Sequence, residues 1–146
     1  MNKVIYTVVL LMCFILSTAN ASDLVYGNFV GVEYVKNYDG DTITVNIKDV
    51  HPLIGSLISI RINGIDTPEM KSDCPNEKIL AYNAKVLIEK FLKNGKVITL
   101  KNVNRDKYFR ILADVYVDGI NIANVLIKNK MAVPYNGGTK IDWCNE

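Results

Sequence analysis

Apolar and polar residues alternate along the early part of the chain and later change to a helical period. Between Phe29 and Tyr38 the residues alternate and are rich in valine and aromatic side chains, and Asp39-Gly40 interrupts the run before Thr42–Ile47. This pattern predicts a β-hairpin with an Asp-Gly turn. After a polar loop that contains His51, a further strand is predicted over Leu57–Ile62.

The middle of the chain has apolar residues at three- and four-residue steps: Leu80, Ala84, Leu87, Ile88 and Phe91. They predict a long helix between Pro75 and Gly95, which suit a helix start and stop. Strands Lys96–Val103 and Phe109–Val117 and a short helix over Ile122–Asn129 follow. Because most strand connections are hairpin-short, a crossover-rich parallel sheet is excluded. We expect an α+β fold, mainly β: a five-stranded antiparallel OB-type barrel with one long helix and a short C-terminal helix.

The first 21 residues have the composition of a secretory signal peptide. They contain one cation, Lys3, an apolar run over Val4–Leu16 and the small-residue ending Ala19-Asn20-Ala21. The run is short for a membrane anchor, so we expect cleavage and export to a periplasm or the medium, without stable membrane association afterwards. Residues 22–146 are then predicted to form one domain, which we expect to be a monomer.

The net charge gives little information on function, whereas the cysteine content favours a disulfide. Without Lys3 the chain keeps 16 of its 17 basic residues against 15 acidic ones, a net charge of +1, which does not by itself indicate a nucleic-acid binder. Two cysteines remain after the leader, Cys74 and Cys144. In an exported protein such a pair favours one disulfide over two unpaired thiols.

Candidate chemistry is confined to carboxylates and arginines near predicted strand ends. The single histidine, His51, and the absence of a Cys-x-x-Cys motif or a glycine-rich phosphate loop argue against zinc and histidine chemistry. What remains is the set Asp41, Arg61, Asp66, Glu69 and Arg110. Two aspartates and a backbone carbonyl, which Pro68 would present at Thr67, suit a hard cation. Guanidiniums suit the charge of a five-coordinate phosphorus, and a free carboxylate can activate water.

Each fragment alone also has a structural interpretation, because Asp-Gly-Asp forms turns and Asp-Thr-Pro-Glu can cap a helix. Their conjunction resembles the staphylococcal nuclease-like (thermonuclease) family. The matching blocks are Asp39-Gly40-Asp41-Thr42, Arg61 with Gly64-Ile65-Asp66-Thr67-Pro68-Glu69, and Asp106-Lys107-Tyr108-Phe109-Arg110. A glycine is frequent in that family where this chain has Phe109.

The resemblance implies a role for each residue. Asp41, Asp66 and the Thr67 carbonyl would bind Ca²⁺, Glu69 would activate water, and Arg61 and Arg110 would stabilise the transition state. Lys107 and Tyr108 would contact the phosphate and base of the substrate, although an ordinary solvated loop is an equal interpretation. The implied reaction is cleavage of the 5′ P–O bond of DNA and RNA, preferably single-stranded or locally melted, which leaves 3′-phosphates.

Two other classes of protein remain open. A catalytically silent OB-type barrel could bind single-stranded nucleic acid through a basic groove and stacking aromatics. An exported interaction or adhesion domain would explain the leader and the disulfide. Neither class requires the five catalytic-type side chains together.

Overall fold

The computed structural model describes residues 25–106 and 108–145. The predicted signal peptide, residues 1–21, lies outside them. The strands are β1 (Phe29–Val30), β2 (Glu33–Asn37), β3 (Thr42–Asn46), β4 (Ile58–Ile62), β5 (Ile65–Asp66), β6 (Ile98–Arg105), β7 (Ile111–Val117), β8 (Ile120–Asn121) and β9 (Val133–Pro134). The helices are α1 (Pro52–Gly55), α2 (Pro75–Asn94) and α3 (Ile122–Lys128).

The main sheet has the strand order β1-β6-β7-β4-β3-β2, with β8 paired to β7. It curls into a half-barrel, and its five long strands with α2 and α3 confirm the predicted α+β, OB-type fold. The expectation that all strands would pair antiparallel is wrong at one place, because β4 and β7 are parallel. Their connection runs through α2 and β6, which gives the chain room to re-enter the sheet in the same direction.

The predicted first strand is divided into two. Gly31 adopts a φ of 72° between β1 and β2, a conformation that costs glycine little. As a result β1 pairs with β6, whereas β2 pairs with β3 in the predicted hairpin. The kink therefore allows one segment of chain to supply both edge strands of the curled sheet.

Helix α2 packs its small residues against the sheet. Its buried residues are Ala81, Ala84, Ile88 and Leu92, whereas Leu87 and Phe91 are only partly buried. The apolar face is thus rotated from the predicted one toward the alanines. Short side chains at this contact allow the helix and the sheet to approach closely.

Helix α2 approaches the turn that precedes β3 closely. A Cβ atom added to Gly40 would lie 2.8 Å from the Cβ atom of Ala84 and 3.0 Å from the Thr67 Cγ2 atom. Glycine is therefore required here by space. The turn, α2 and the segment after β5 meet at this one point.

The C-terminal residues lie beside β5 and the start of α2. Strand β9 pairs with β5, and a disulfide joins Cys144 to Cys74, whose Cα atoms are 6.0 Å apart. The predicted disulfide is therefore present. Within residues 25–106 and 108–145, none of the helices has the length and apolar character needed to cross a membrane.

We predict that Gly40→Ala lowers the free energy of unfolding by about 1–3 kcal/mol, because the new methyl group must displace Ala84 or Thr67. Chemical denaturation monitored by circular dichroism measures the change.

Gly138→Ala is the matched control, because its added Cβ would meet only the Asn136 Oδ1 atom, at 3.6 Å. We expect a change below about 0.5 kcal/mol. Equal losses in the two variants would contradict the close-approach explanation.

Candidate functional site

The turn before β3 is fixed by the side chain of its first residue. The Asp39 Oδ1 atom accepts hydrogen bonds from the backbone N–H groups of Asp41, at 3.1 Å, and Thr42, at 2.8 Å. Burial raises the pKa of the Asp39 carboxyl, although the bonds from Thr42 and the charge of Arg61 act against this rise. Asp39 therefore stabilises the turn that orients the Asp41 side chain.

Asp41 is held by the segment that follows β5. Its Oδ2 atom accepts hydrogen bonds from the Thr67 backbone N–H, at 3.2 Å, and from the Thr67 hydroxyl, at 2.9 Å. Both residues are buried. Because the two segments are 26 positions apart in sequence, the contact depends on the folded barrel.

Arg61 joins the two predicted metal-binding aspartates. Its Nη1 atom contacts the Asp41 Oδ2 atom, and its Nη2 atom lies 3.5 Å from the Asp66 Oδ1 atom. The Nη2 atom also donates to the Ile65 carbonyl at 3.1 Å. One guanidinium thus brackets two buried carboxylates.

Burial has the largest effect on the charge of Arg61, and the net result is a lowered pKa. Burial lowers the pKa of the Arg61 guanidinium, whereas the charges of Asp66 and Asp39 raise it. The Arg110 guanidinium lowers that pKa further. The two predicted phosphate-binding arginines are therefore close enough to interact.

Asp66 has the character of a cation ligand. Its side chain is almost fully buried, and among the described residues the Oδ1 atom accepts no hydrogen bond of good geometry, although the Lys140 ammonium lies 2.9 Å and the Arg61 Nη2 atom 3.5 Å from it. In the part of the chain that the structure describes, no three or more His, Cys, Asp or Glu side chains form a metal-binding group. A hard cation would therefore find two carboxylates, from Asp41 and Asp66, and would complete its coordination with carbonyl, water or phosphate oxygens. The oxygen donors fit such an ion.

Glu69 lies beside this pair but faces solvent, with 52% of its side chain exposed. Its backbone N–H donates to the Glu77 Oε1 atom, at 2.9 Å, in the first turn of α2. Its Oε1 atom accepts a hydrogen bond from the Lys140 ammonium at 2.6 Å. Lys140 is also 2.9 Å from the Asp66 Oδ1 atom.

The loop between β6 and β7 presents the second arginine. Asp106 accepts hydrogen bonds from the backbone N–H groups of Tyr108, at 2.8 Å, and Arg110, at 2.9 Å. Its Oδ2 atom also accepts from the Arg110 Nε atom at 2.7 Å. Burial acts to raise the pKa of Asp106, but these bonds outweigh it and lower the pKa. Asp106 therefore orients Arg110, whose guanidinium lies 5.7 Å from the centre of the Tyr108 ring.

Phe109 has a left-handed backbone, a conformation that glycine adopts most readily. Its φ is 62°, and its N–H donates to the Asp106 carbonyl at 2.9 Å. The ring is 78% exposed. The loop that presents Arg110 therefore has a left-handed backbone under a bulky side chain, which costs energy.

Arg61 and Arg110 line one cavity of about 610 Å³. Tyr108, Asp106 and Tyr135 line it as well. The buried carboxylates lie behind Arg61, so the cavity has a cationic wall backed by acids. The guanidiniums of such a cavity suit a phosphate, and its aromatic rings suit the base attached to that phosphate.

The structure thus gathers most of the predicted site. Asp41, Arg61, Asp66 and Thr67 are in direct contact, and Glu69 adjoins them through Lys140. Lys107 lies outside the described residues. The sequence interpretation did not identify Lys140 or the indole of Trp143, whose Nε1 atom is 3.4 Å from the Asp66 Oδ2 atom.

Comparisons with known proteins agree with this arrangement. A sequence profile of the staphylococcal nuclease homologue family matches residues 59–142. The chain is 35% identical over 118 residues to the SPbeta prophage-derived endonuclease YokF of Bacillus subtilis, which covers 76% of this chain and 37% of YokF. It is 34% identical to the endonuclease YncB of the same organism, over 76% of this chain and 52% of YncB. An uncharacterized endonuclease of Escherichia coli is 32% identical, over 69% of this chain and 58% of that protein.

The fold and the site together define a class of protein: a small α+β barrel in which a guanidinium contacts two carboxylates. The chain belongs to the staphylococcal nuclease homologue family, and its relatives include endonucleases. It spans roughly a third to three fifths of the length of these curated relatives.

We predict that Phe109→Gly raises the free energy of unfolding by about 1 kcal/mol, because glycine adopts a φ of 62° without the left-handed penalty. Urea denaturation measures the change. Asp73→Gly is the control at an exposed loop position where φ is not positive, and it should lower stability by about 0.5–1 kcal/mol. A loss in the Phe109 variant as large as that in the control would show that the left-handed backbone carries no penalty at this position.

Proposed function

We propose that this chain is an exported, calcium-dependent endonuclease that hydrolyses phosphodiester bonds of DNA and RNA. The observation that carries the proposal is the Arg61 guanidinium, which contacts Asp41 and lies 3.5 Å from Asp66 in the wall of a cavity shared with Arg110. Relatives named as endonucleases support it.

Two buried acids beside a phosphate-binding cavity favour catalysis over simple binding. Without a metal ion, the two negative charges of Asp41 and Asp66 exceed the one positive charge of Arg61 between them and would weaken phosphate binding. A barrel that only binds nucleic acid would gain from apolar or basic residues at these positions. A metal-dependent hydrolase needs oxygen ligands at this place.

Ca²⁺ would be held by Asp41, Asp66 and the Thr67 carbonyl, and when bound it supplies charge that polarises the phosphate and lowers the pKa of a coordinated water. In the proposed reaction Glu69 would orient the attacking water and take up one of its protons. The water oxygen would form the new bond to phosphorus as the bond to the 5′ oxygen breaks; the 5′ oxygen leaves as a hydroxyl after it takes a proton from solvent, and the phosphate stays on the 3′ oxygen.

The two arginines divide the work of binding the reacting phosphate. Arg61 is fixed by Asp41 and Asp66, so its guanidinium offers donors in one orientation. Arg110 is oriented by Asp106 and remains 55% exposed, so it can approach the phosphate from solvent. Both would stabilise the extra negative charge of the transition state.

Tyr108 offers a stacking surface for a substrate base, and Lys107 is proposed to contact a phosphate. Such surfaces favour unpaired strands, because stacked bases in a duplex do not expose their faces. This assigns single-stranded or locally melted DNA and RNA as the preferred substrates. The signal peptide predicted over residues 1–21 supports export to a periplasm or the medium.

We predict that the protein cuts heat-denatured DNA and RNA with Ca²⁺ and not with a chelator. In Glu69→Gln and Arg110→Ala, kcat should fall at least about 100-fold, because each removes a group that acts in the transition state. Gel assays of 5′-labelled oligonucleotides measure the rate, and phosphatase sensitivity of the new ends identifies 3′-phosphates.

Lys128→Ala is the control for charge, since Lys128 lies in the last turn of α3 and should leave the rate unchanged. Folded wild-type protein that binds single strands without cutting them, with any metal, would instead establish the binding barrel.

A further inference from the structure

The segment over residues 139–144, named here the C-terminal strap, brings a lysine into the centre. The Lys140 Nζ atom lies 2.6 Å from the Glu69 Oε1 atom and 2.9 Å from the Asp66 Oδ1 atom. We propose that Lys140 is an internal cation that competes with the divalent metal for Asp66 and that releases Glu69 when the metal binds. The inference rests on the metal site proposed above.

The C-terminal strap is fixed on both sides of Lys140. After it, Cys144 is bonded to Cys74, and the buried Trp143 directs its Nε1 atom toward the Asp66 Oδ2 atom at 3.4 Å. Before it, the Tyr135 N–H donates to the Gly64 carbonyl at 2.9 Å, and the Tyr135 hydroxyl donates to the Gly138 carbonyl at 2.9 Å. The tether keeps the ammonium at high local concentration beside the carboxylates.

Lysine and a divalent cation cannot both hold the same oxygen of Asp66. A calcium ion lies about 2.3–2.6 Å from its oxygen ligands, so an ammonium 2.9 Å from the Asp66 Oδ1 atom would be a close like charge. The Lys140 side chain is 45% exposed and has a flexible stem, so it can move into solvent. Metal binding is therefore expected to displace Lys140.

Displacement of Lys140 would affect Glu69, the proposed base. While Lys140 donates to the Glu69 Oε1 atom, the ion pair holds the carboxylate in the orientation that the ammonium sets and takes one of its acceptor positions. Release of the lysine frees the carboxylate. The arrangement couples occupancy of the metal site to the availability of Glu69, so Lys140 is a positioning residue.

Isothermal titration of CaCl₂ into the metal-free, oxidised protein tests the competition. We expect Lys140→Met to lower the Kd for Ca²⁺ about tenfold, because it removes a like charge from the site. Lys140→Arg keeps the charge and should bind Ca²⁺ nearly as the wild type does. Lys71→Met removes an exposed lysine two positions from Glu69 and should change the Kd less than about twofold.

Thermal unfolding provides a second readout that a purely structural role would not produce. In chelator, Lys140→Met should melt below the wild type, since Asp66 loses a cationic partner. The rise in melting temperature on addition of Ca²⁺ should be larger in this variant than in the wild type. An equal rise, with an equal or weaker Ca²⁺ affinity, would overturn the proposal.

Two kinds of failure can be told apart. If the wild type cuts DNA with Ca²⁺ and the Lys140→Met variant has the same Kd, the competition is refuted and the proposed function stands. If no variant binds Ca²⁺, the metal site itself is refuted and the competition with it. Reduction of the disulfide should lower the Kd of the wild type and leave that of Lys140→Met unchanged; an equal effect on both would refute the tether.

Discussion

The contact of one buried arginine with two buried aspartates is the constraint on which the rest of the site depends. A charge removed from water needs a partner, and removal of one partner leaves the others exposed to the full cost of burial. Arg61 comes from β4, Asp41 from the turn before β3 and Asp66 from β5. The barrel must therefore form with all three strands in register before the charges are balanced.

The fold meets this constraint by close packing around the turn at Gly40. The absence of a side chain there lets α2 and Thr67 approach the turn, and Thr67 then donates two hydrogen bonds to Asp41. The disulfide and the C-terminal strap add a second cation, Lys140, to the same group of acids. The centre thus combines rigid ligands with one side chain that can leave.

Much of this arrangement could be predicted, because local patterns of the amino-acid sequence determine it. Alternation predicted the β2–β3 hairpin, the helical period predicted α2, and the strand-end carboxylates and arginines converge as expected. The parallel β4–β7 contact could not be predicted, since hairpin-short connections say nothing about strands that pair across α2 and β6. The contact of Lys140 with Glu69 spans 71 positions, and one lysine among many carries no signal of its partner. Similarly, no local rule assigns a left-handed backbone to Phe109.

The central claim is that Asp41 and Asp66 form a divalent metal site next to the phosphate position of Arg61 and Arg110. A crystal structure of the protein grown with CaCl₂ and a non-hydrolysable single-stranded oligonucleotide tests it most directly. We expect a calcium ion between the two carboxylates and a phosphate on both guanidiniums, with Lys140 withdrawn from Asp66. An oligonucleotide bound elsewhere on the barrel, with Lys140 still on Asp66 and no ion between the aspartates, would contradict the claim.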